Sequence, residues 1–336
     1  MQTINAKYFI STAGQRLEGK DSRRLAAFHT AIAAAFSLAV MVLQYVLSVG
    51  IGNTSGLSGM STRSILQTLQ TVLQWANMIL TPFWNLGFWY VTLLWARDQY
   101  ARKEDFLTGF YRIGPGIGLI FARSLLVIAV TVICLNLSSS MFLLTPAGQE
   151  MEELMLSLGS MDAYYSYMTG MSHQELMAMV AKTTPFMILG CVMSAVLLIP
   201  LLYRFRLAEY VILDQKGMRA LPAMFISATL MRRRCWQVLK LDLRLWWYYL
   251  LKTLCLMLCY LEMILPAVGI SLPIGGDGVY FATYILYLAA LLAVETAFRP
   301  RVQTAYAGVY EAFKEMGPVQ KKQVAVKPQD MPWDEQ

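Results

Sequence analysis

Six stretches of twenty or more residues run along the chain with almost no charge: 25–50, 72–96, 124–144, 185–207, 246–270 and 279–298. Each has the length that crosses a hydrocarbon core of about 30 Å as a helix. The expected fold is an all-α integral membrane protein: a six-transmembrane-helix bundle with interfacial amphipathic cytoplasmic helices and a helical outer insertion. Three segments follow from that pattern. Residues 1–24 form a polar N-terminal arm, 25–316 the membrane domain with its outer insertion at 145–184, and 317–336 a Lys/Pro/Gln-rich tail expected to be disordered.

Within the spans the polar positions are informative. Leading into the second and along it, Gln67, Gln70, Gln74, Asn77, Thr81 and Asn85 recur at spacings of three and four, which places them on one helical face. Pro82 follows in the same span and is expected to kink it. The insertion reads as two or three short helices, with Ser172-His173-Gln174-Glu175 as a capping box. Residues 221–234 read as an amphipathic surface helix ending in Arg232-Arg233-Arg234, and 300–314 as a short helix after the sixth span.

Charge then orients the spans. Net charge is +7, and the basic residues gather in the N-terminal arm, between spans two and three, between four and five, and after six, while the alternate loops hold only Arg63 and Lys182. By the positive-inside rule both termini are cytoplasmic, in a multi-pass plasma-membrane protein. The basic residues thus serve as topology signals and contacts to anionic headgroups, and nucleic acid is not an expected partner. With 57% hydrophobic and 15% charged residues, the chain is excluded from the soluble enzymes, disordered regulators and disulfide-stapled secreted domains. The first span is too long, and starts too late, for a cleaved secretory signal.

Several stretches resemble a bacterial integral-membrane family catalogued as domain of unknown function family 975. They are Gly87…Leu94-Trp95-Ala96-Arg97, Asp105-Phe106-Leu107…Gly109-Phe110, Leu198-Ile199-Pro200…Tyr203, Tyr210…Asp214, Ser227…Leu230-Met231, Leu239…Leu241-Asp242-Leu243…Trp246 and Pro300…Thr304-Ala305-Tyr306…Tyr310. In this order they cover most of 87–313, with departures at Leu201, Arg232 and Arg301. The resemblance implies an all-helical membrane bundle and no particular activity.

Candidate chemistry is sparse. The candidate polar path comprises Gln67, Gln70, Gln74, Asn77, Asn85, Lys252 and Glu262; its amides either line a solvated path or hydrogen-bond to neighbouring helices. In span five Lys252 and Glu262 are ionisable, but ten residues, about 15 Å, separate them along the axis, so they cannot pair. Lys252 is expected to snorkel to the interface. Glu295 and Arg299 form a favourable pair four residues apart. Arg232, Arg233 and Arg234 are candidate lipid-headgroup contacts, with Met224, Phe225, Ala228 and Met231 in the interface. The seven methionines between 151 and 179 suit Cu(I) chemically but form no repeated motif, and methionine is an ordinary filler of apolar faces. With two histidines and no CxxC, no zinc site is expected. No catalytic set, cofactor or metal is expected. The sequence favours a non-enzymatic membrane protein that assists or regulates an envelope or export system through a membrane-protein partner. The alternative is a transporter or lipid-handling protein using the polar stripe, and an intramembrane enzyme ranks last.

Overall fold

The computed structural model describes residues 6–53, 57–261 and 276–317; Glu262 and residues 318–336 lie outside them. Every regular element among the described residues is helical. Four helical stretches are long and apolar enough to cross a membrane: Ser22–Ile51, Ile113–Leu143, Met177–Asp214 and Phe281–Met316. They coincide with spans one, three, four and six. The second expected span lies in a helix of 40 residues, but its amides, indoles and proline dilute its hydropathy. The fifth begins as a helix of 12 residues that passes into a 3-10 turn at Leu258–Tyr260, close to the limit of the described residues.

The chain divides into two compact units, residues 1–117 with 207–336, and residues 118–206. In the first, the N-terminal arm carries α1 (Ala6–Leu17). It is a helix that buries Ala6, Phe9 and Ala13. Next come α2 (Ser22–Asn53) and α3 (Leu57–Ala96), which stays helical through Pro82. A 3-10 turn at Lys103–Leu107 leads into the short α4 (Thr108–Tyr111) and the start of α5 (Ile113–Leu143).

The second unit holds the rest of α5, then α6 (Pro146–Leu158), α7 (Met161–Gly170) and α8 (His173–Arg204). Ser172 and Glu175 close the capping box at the start of α8: the Glu175 N–H donates to the serine hydroxyl at 3.3 Å, and the Ser172 N–H to the glutamate at 3.0 Å. The insertion is therefore two short helices and the first turns of α8, which continues through Pro185 and Pro200.

Back in the first unit come α9 (Ala208–Asp214), α10 (Ala220–Met231), α11 (Cys235–Arg244), α12 (Trp246–Met257) and α13 (Gly276–Met316). The expected separate helix at 300–314 does not exist. Helix α13 runs 41 residues without a break through Pro300. It packs against α1, α2, α3 and α12, and so forms the axis of this unit. Its neighbour α3 meets the 3-10 turn and α4 at backbone range. A Cβ on Gly87 would sit 1.9 Å from the Phe106 carbonyl oxygen, and one on Gly109 would sit 2.1 Å from that of Phe83. Only glycine permits this approach, and it seats Phe106 in a core with Leu25, Ala26, Phe88, Val91 and Trp95.

Gly87→Ala and Gly109→Ala should each cost about 3 kcal/mol or more, because the added methyl meets backbone that cannot turn aside. Thermal unfolding in nanodiscs checks this against Gly114→Ala, whose Cβ would meet nothing within 4 Å. Equal midpoints for all three variants would show that the loop does not pack as described.

Candidate functional site

Two polar networks hang on α13. The first is centred on Glu295, only 3% exposed. Its carboxylate accepts from the Tyr248 hydroxyl at 3.0 Å, pairs with Lys252 at 2.8 Å, and pairs with Arg299 at 3.2 Å. Arg299 in turn donates to the Asn85 amide oxygen at 2.8 Å and lies 4.1 Å over the Phe88 ring. Its other terminal nitrogen is 3.4 Å from His29 Nδ1. His29 Nε2 lies 2.9 Å from the Trp84 carbonyl, so that nitrogen carries the hydrogen and Nδ1 is the acceptor facing Arg299. The Trp84 indole returns a hydrogen bond to the His29 carbonyl at 2.9 Å, and the two rings stack at 4.8 Å. Helices α2, α3, α12 and α13 thus meet around two cations and one carboxylate.

The second network starts where α3 ends. Arg97 donates to Glu311 at 2.6 and 2.9 Å and also to Asp214. Asp214 accepts from Lys314 at 2.7 Å and from the Tyr310 hydroxyl at 2.9 Å. Burial opposes the charge on Arg97, but hydrogen bonds and charge from Asp214 and Glu311 outweigh it and raise its pKa. Tyr210 stacks on Tyr310 at 5.6 Å. Nearby, the Tyr249 and Tyr306 hydroxyls lie 2.8 Å apart, and Tyr306 donates to Asp242.

Beside Arg97 a cleft of about 420 Å³ opens between α1, the end of α3 and α13. Arg16 reaches across to donate to the Ala96 carbonyl. Asp98 forms one wall in the left-handed region, with φ at 62°, a conformation few residues other than glycine adopt. Lys20, 2.8 Å away, holds the Asp98 carboxyl below the ordinary carboxylate range by its hydrogen bond and charge, with a smaller contribution from Arg16.

The residues singled out from sequence fall in different places. Asn85 joins the Glu295 network. Asn77 accepts from the Thr81 hydroxyl at 3.1 Å, Gln70 is half-buried, and Gln67 and Gln74 are exposed. Gln67 and Asn85 are eighteen residues apart, about 27 Å along the helix, so the stripe does not converge on one site. Lys252 is not a snorkelling residue, since its ammonium turns to Glu295. Glu262 lies outside the described residues. Arg232 and Arg233 are exposed, but Arg234 is buried. A left-handed Arg233, φ 61°, turns the chain there. Arg234 then donates to the carbonyls of Phe313 at 3.3 Å and Gly317 at 2.9 Å and stacks on Phe313. Burial lowers its pKa, and it is not a headgroup contact. The arginines form a turn between α10 and α11 rather than a helix end, and Met224 and Met231, expected in the interface, are buried. In the second unit, Met151, Met171 and Met179 line a cleft of about 260 Å³ with Glu150, Glu175 and Lys182.

Sequence reasoning did not single out Arg97, Asp214 or Tyr310 as a site. The signal was present, because all three fall in the stretches that carry the family 975 resemblance, as do Asp242, Thr304 and Tyr306. No family model, curated protein or solved structure matches the chain.

Glu295→Gln should destabilise the protein by about 3 kcal/mol, because it leaves two cations facing each other in an apolar surrounding. Lys252→Met should cost less, since the lysine side chain is 43% exposed and its loss leaves Glu295 paired with Arg299. Unfolding midpoints of the two variants give the order, and the reverse order would show that Glu295 is not the centre of the network.

Proposed function

We propose that the chain is a non-enzymatic, multi-pass membrane protein that assists or regulates another envelope or export system by holding a membrane-protein partner. On this reading it spans the bacterial plasma membrane six times, α3 and α12 contributing the second and fifth spans. Both termini lie in the cytoplasm, which the positive-inside pattern supports, while the family 975 resemblance supports an all-helical membrane bundle.

One observation carries the reading. The N-terminal part of α3 exposes Gln67 and Gln74 beside Ile65, Leu69, Val72 and Trp75. Amide groups facing lipid lose their hydrogen bonds to water, and a helix presenting Asn, Gln, Ser or Thr recovers about 0.6–2 kcal/mol per pair. A partner helix of that chemistry answers the amides, and the apolar side chains between them supply the packing. Arg232 and Arg233, both exposed, suit contact with anionic headgroups at the cytoplasmic surface, at about 1 kcal/mol each. A second reading, handling of a lipid or other small molecule, draws support from the cleft beside Arg97.

Extraction of the native protein into lipid-preserving nanodiscs, followed by mass spectrometry, tests the first reading. A stoichiometric membrane protein should co-purify, and the double variant Gln67→Leu, Gln74→Leu should lose it while retaining the unfolding midpoint. Recovery of the protein alone, with one lipid or small molecule enriched, would instead support the second reading.

A further inference from the structure

The charges that line the cleft beside Arg97 can be paired off one by one. Asp98 is answered by Lys20. Glu311 is answered by Arg97, and Arg97 is shared with Asp214, which also holds Lys314. Two lining residues are left over: Arg16 on α1 and Glu315 on α13. Arg16 spends one terminal nitrogen on the Ala96 carbonyl, and neither residue forms an ion pair among the described residues. The cleft therefore presents one cation, Arg16, whose charge is felt at Asp98 without an ion pair, and one carboxylate, Glu315, without an ion-pair partner among the described residues.

A third feature lies among the lining residues. The Thr304 hydroxyl, in a residue 1% exposed, is buried with no hydrogen-bond partner among the described residues. A buried hydroxyl left without a partner is unfavourable, and here it borders an open volume of about 420 Å³, within the range of small-molecule sites. A strained Asp98 completes the wall; strain of this kind gathers at ligand sites.

We infer that this cleft binds a compact zwitterion, a primary ammonium joined by a short chain to an anionic oxygen group, of which phosphoethanolamine is the type. Arg16 takes the anion, because a guanidinium offers charge-assisted N–H donors to phosphate oxygens. Glu315 takes the ammonium, and Thr304 bonds to the anionic oxygens. A lone anion leaves Glu315 facing like charge, and a lone amine leaves Arg16 so placed, so the site selects for both charges in one molecule. The same chemistry is offered by a free metabolite and by the headgroup of a phospholipid. The inference holds whether or not the chain also carries a protein partner.

The test is titration calorimetry on the full chain in phosphatidylglycerol nanodiscs, with O-phosphoethanolamine as probe. Ethanolamine and glycerol phosphate, each carrying one of the two charges, should bind at least 30-fold more weakly. Arg16→Gln and Glu315→Gln should each weaken the probe at least tenfold. Thr304→Val should weaken it several-fold, while Glu153→Gln, on another helix, leaves it unchanged. Arg16→Lys should recover part of the loss, which separates lost binding from lost folding. Repeating the titration in phosphatidylethanolamine nanodiscs identifies the source. A tenfold drop in probe affinity means that the lipid headgroup occupies the cleft, and no drop means that a soluble zwitterion does. Absence of binding, equal binding of the single-charge compounds, or indifference to both charge-removing variants would overturn the inference.

Discussion

A charge enclosed by apolar helices must find its counter-charge inside the same bundle, and Arg299 is where that constraint governs this molecule. Its guanidinium lies against a phenylalanine ring and touches an asparagine, a histidine and a glutamate contributed by three helices. Each contact removes a degree of freedom from a different helix. Asn85 fixes the rotation of α3, His29 that of α2, and Lys252, through Glu295, that of α12. Apolar packing alone would tolerate small rotations of these helices, whereas hydrogen bonds to a buried ion do not. The arrangement of the first unit follows from that difference.

What the sequence made legible was local. Hydropathy marks helices because a run of apolar side chains needs no partner to be recognised. The capping box at Ser172 and the Glu295–Arg299 pair were legible for the same reason, since each lies within one turn of helix. The contacts that make the site were not. Arg97 and Glu311 lie 214 positions apart, and Arg299 and His29 lie 270 apart. No periodicity encodes such pairs. Lys252 was misjudged because its distance from the interface was counted while a carboxylate on another helix was not. Arg234 was misjudged because one backbone angle, at Arg233, sends it inward and leaves its two neighbours exposed.

Prolines do not end these helices. Each of α3, α8 and α13 stays helical through one or two of them. A proline removes one hydrogen bond and crowds one carbonyl, and neighbouring helices can absorb that cost. In α13 the neighbours are close: Pro300 is itself buried, one residue after Arg299. The packing that holds Arg299 in place therefore also braces the helix where its own hydrogen bonding is weakest.

Helix α13 is therefore continuous from one network to the other. Arg299 and Glu311 are twelve residues apart on it, about 18 Å along the axis, with no break in the helix between them. A rigid turn of this helix that released Arg299 from Asn85 would also move Glu311 relative to Arg97, and the reverse would hold equally. The two ends of the helix behave as hands on one shaft, so anything that grips one end is felt at the other.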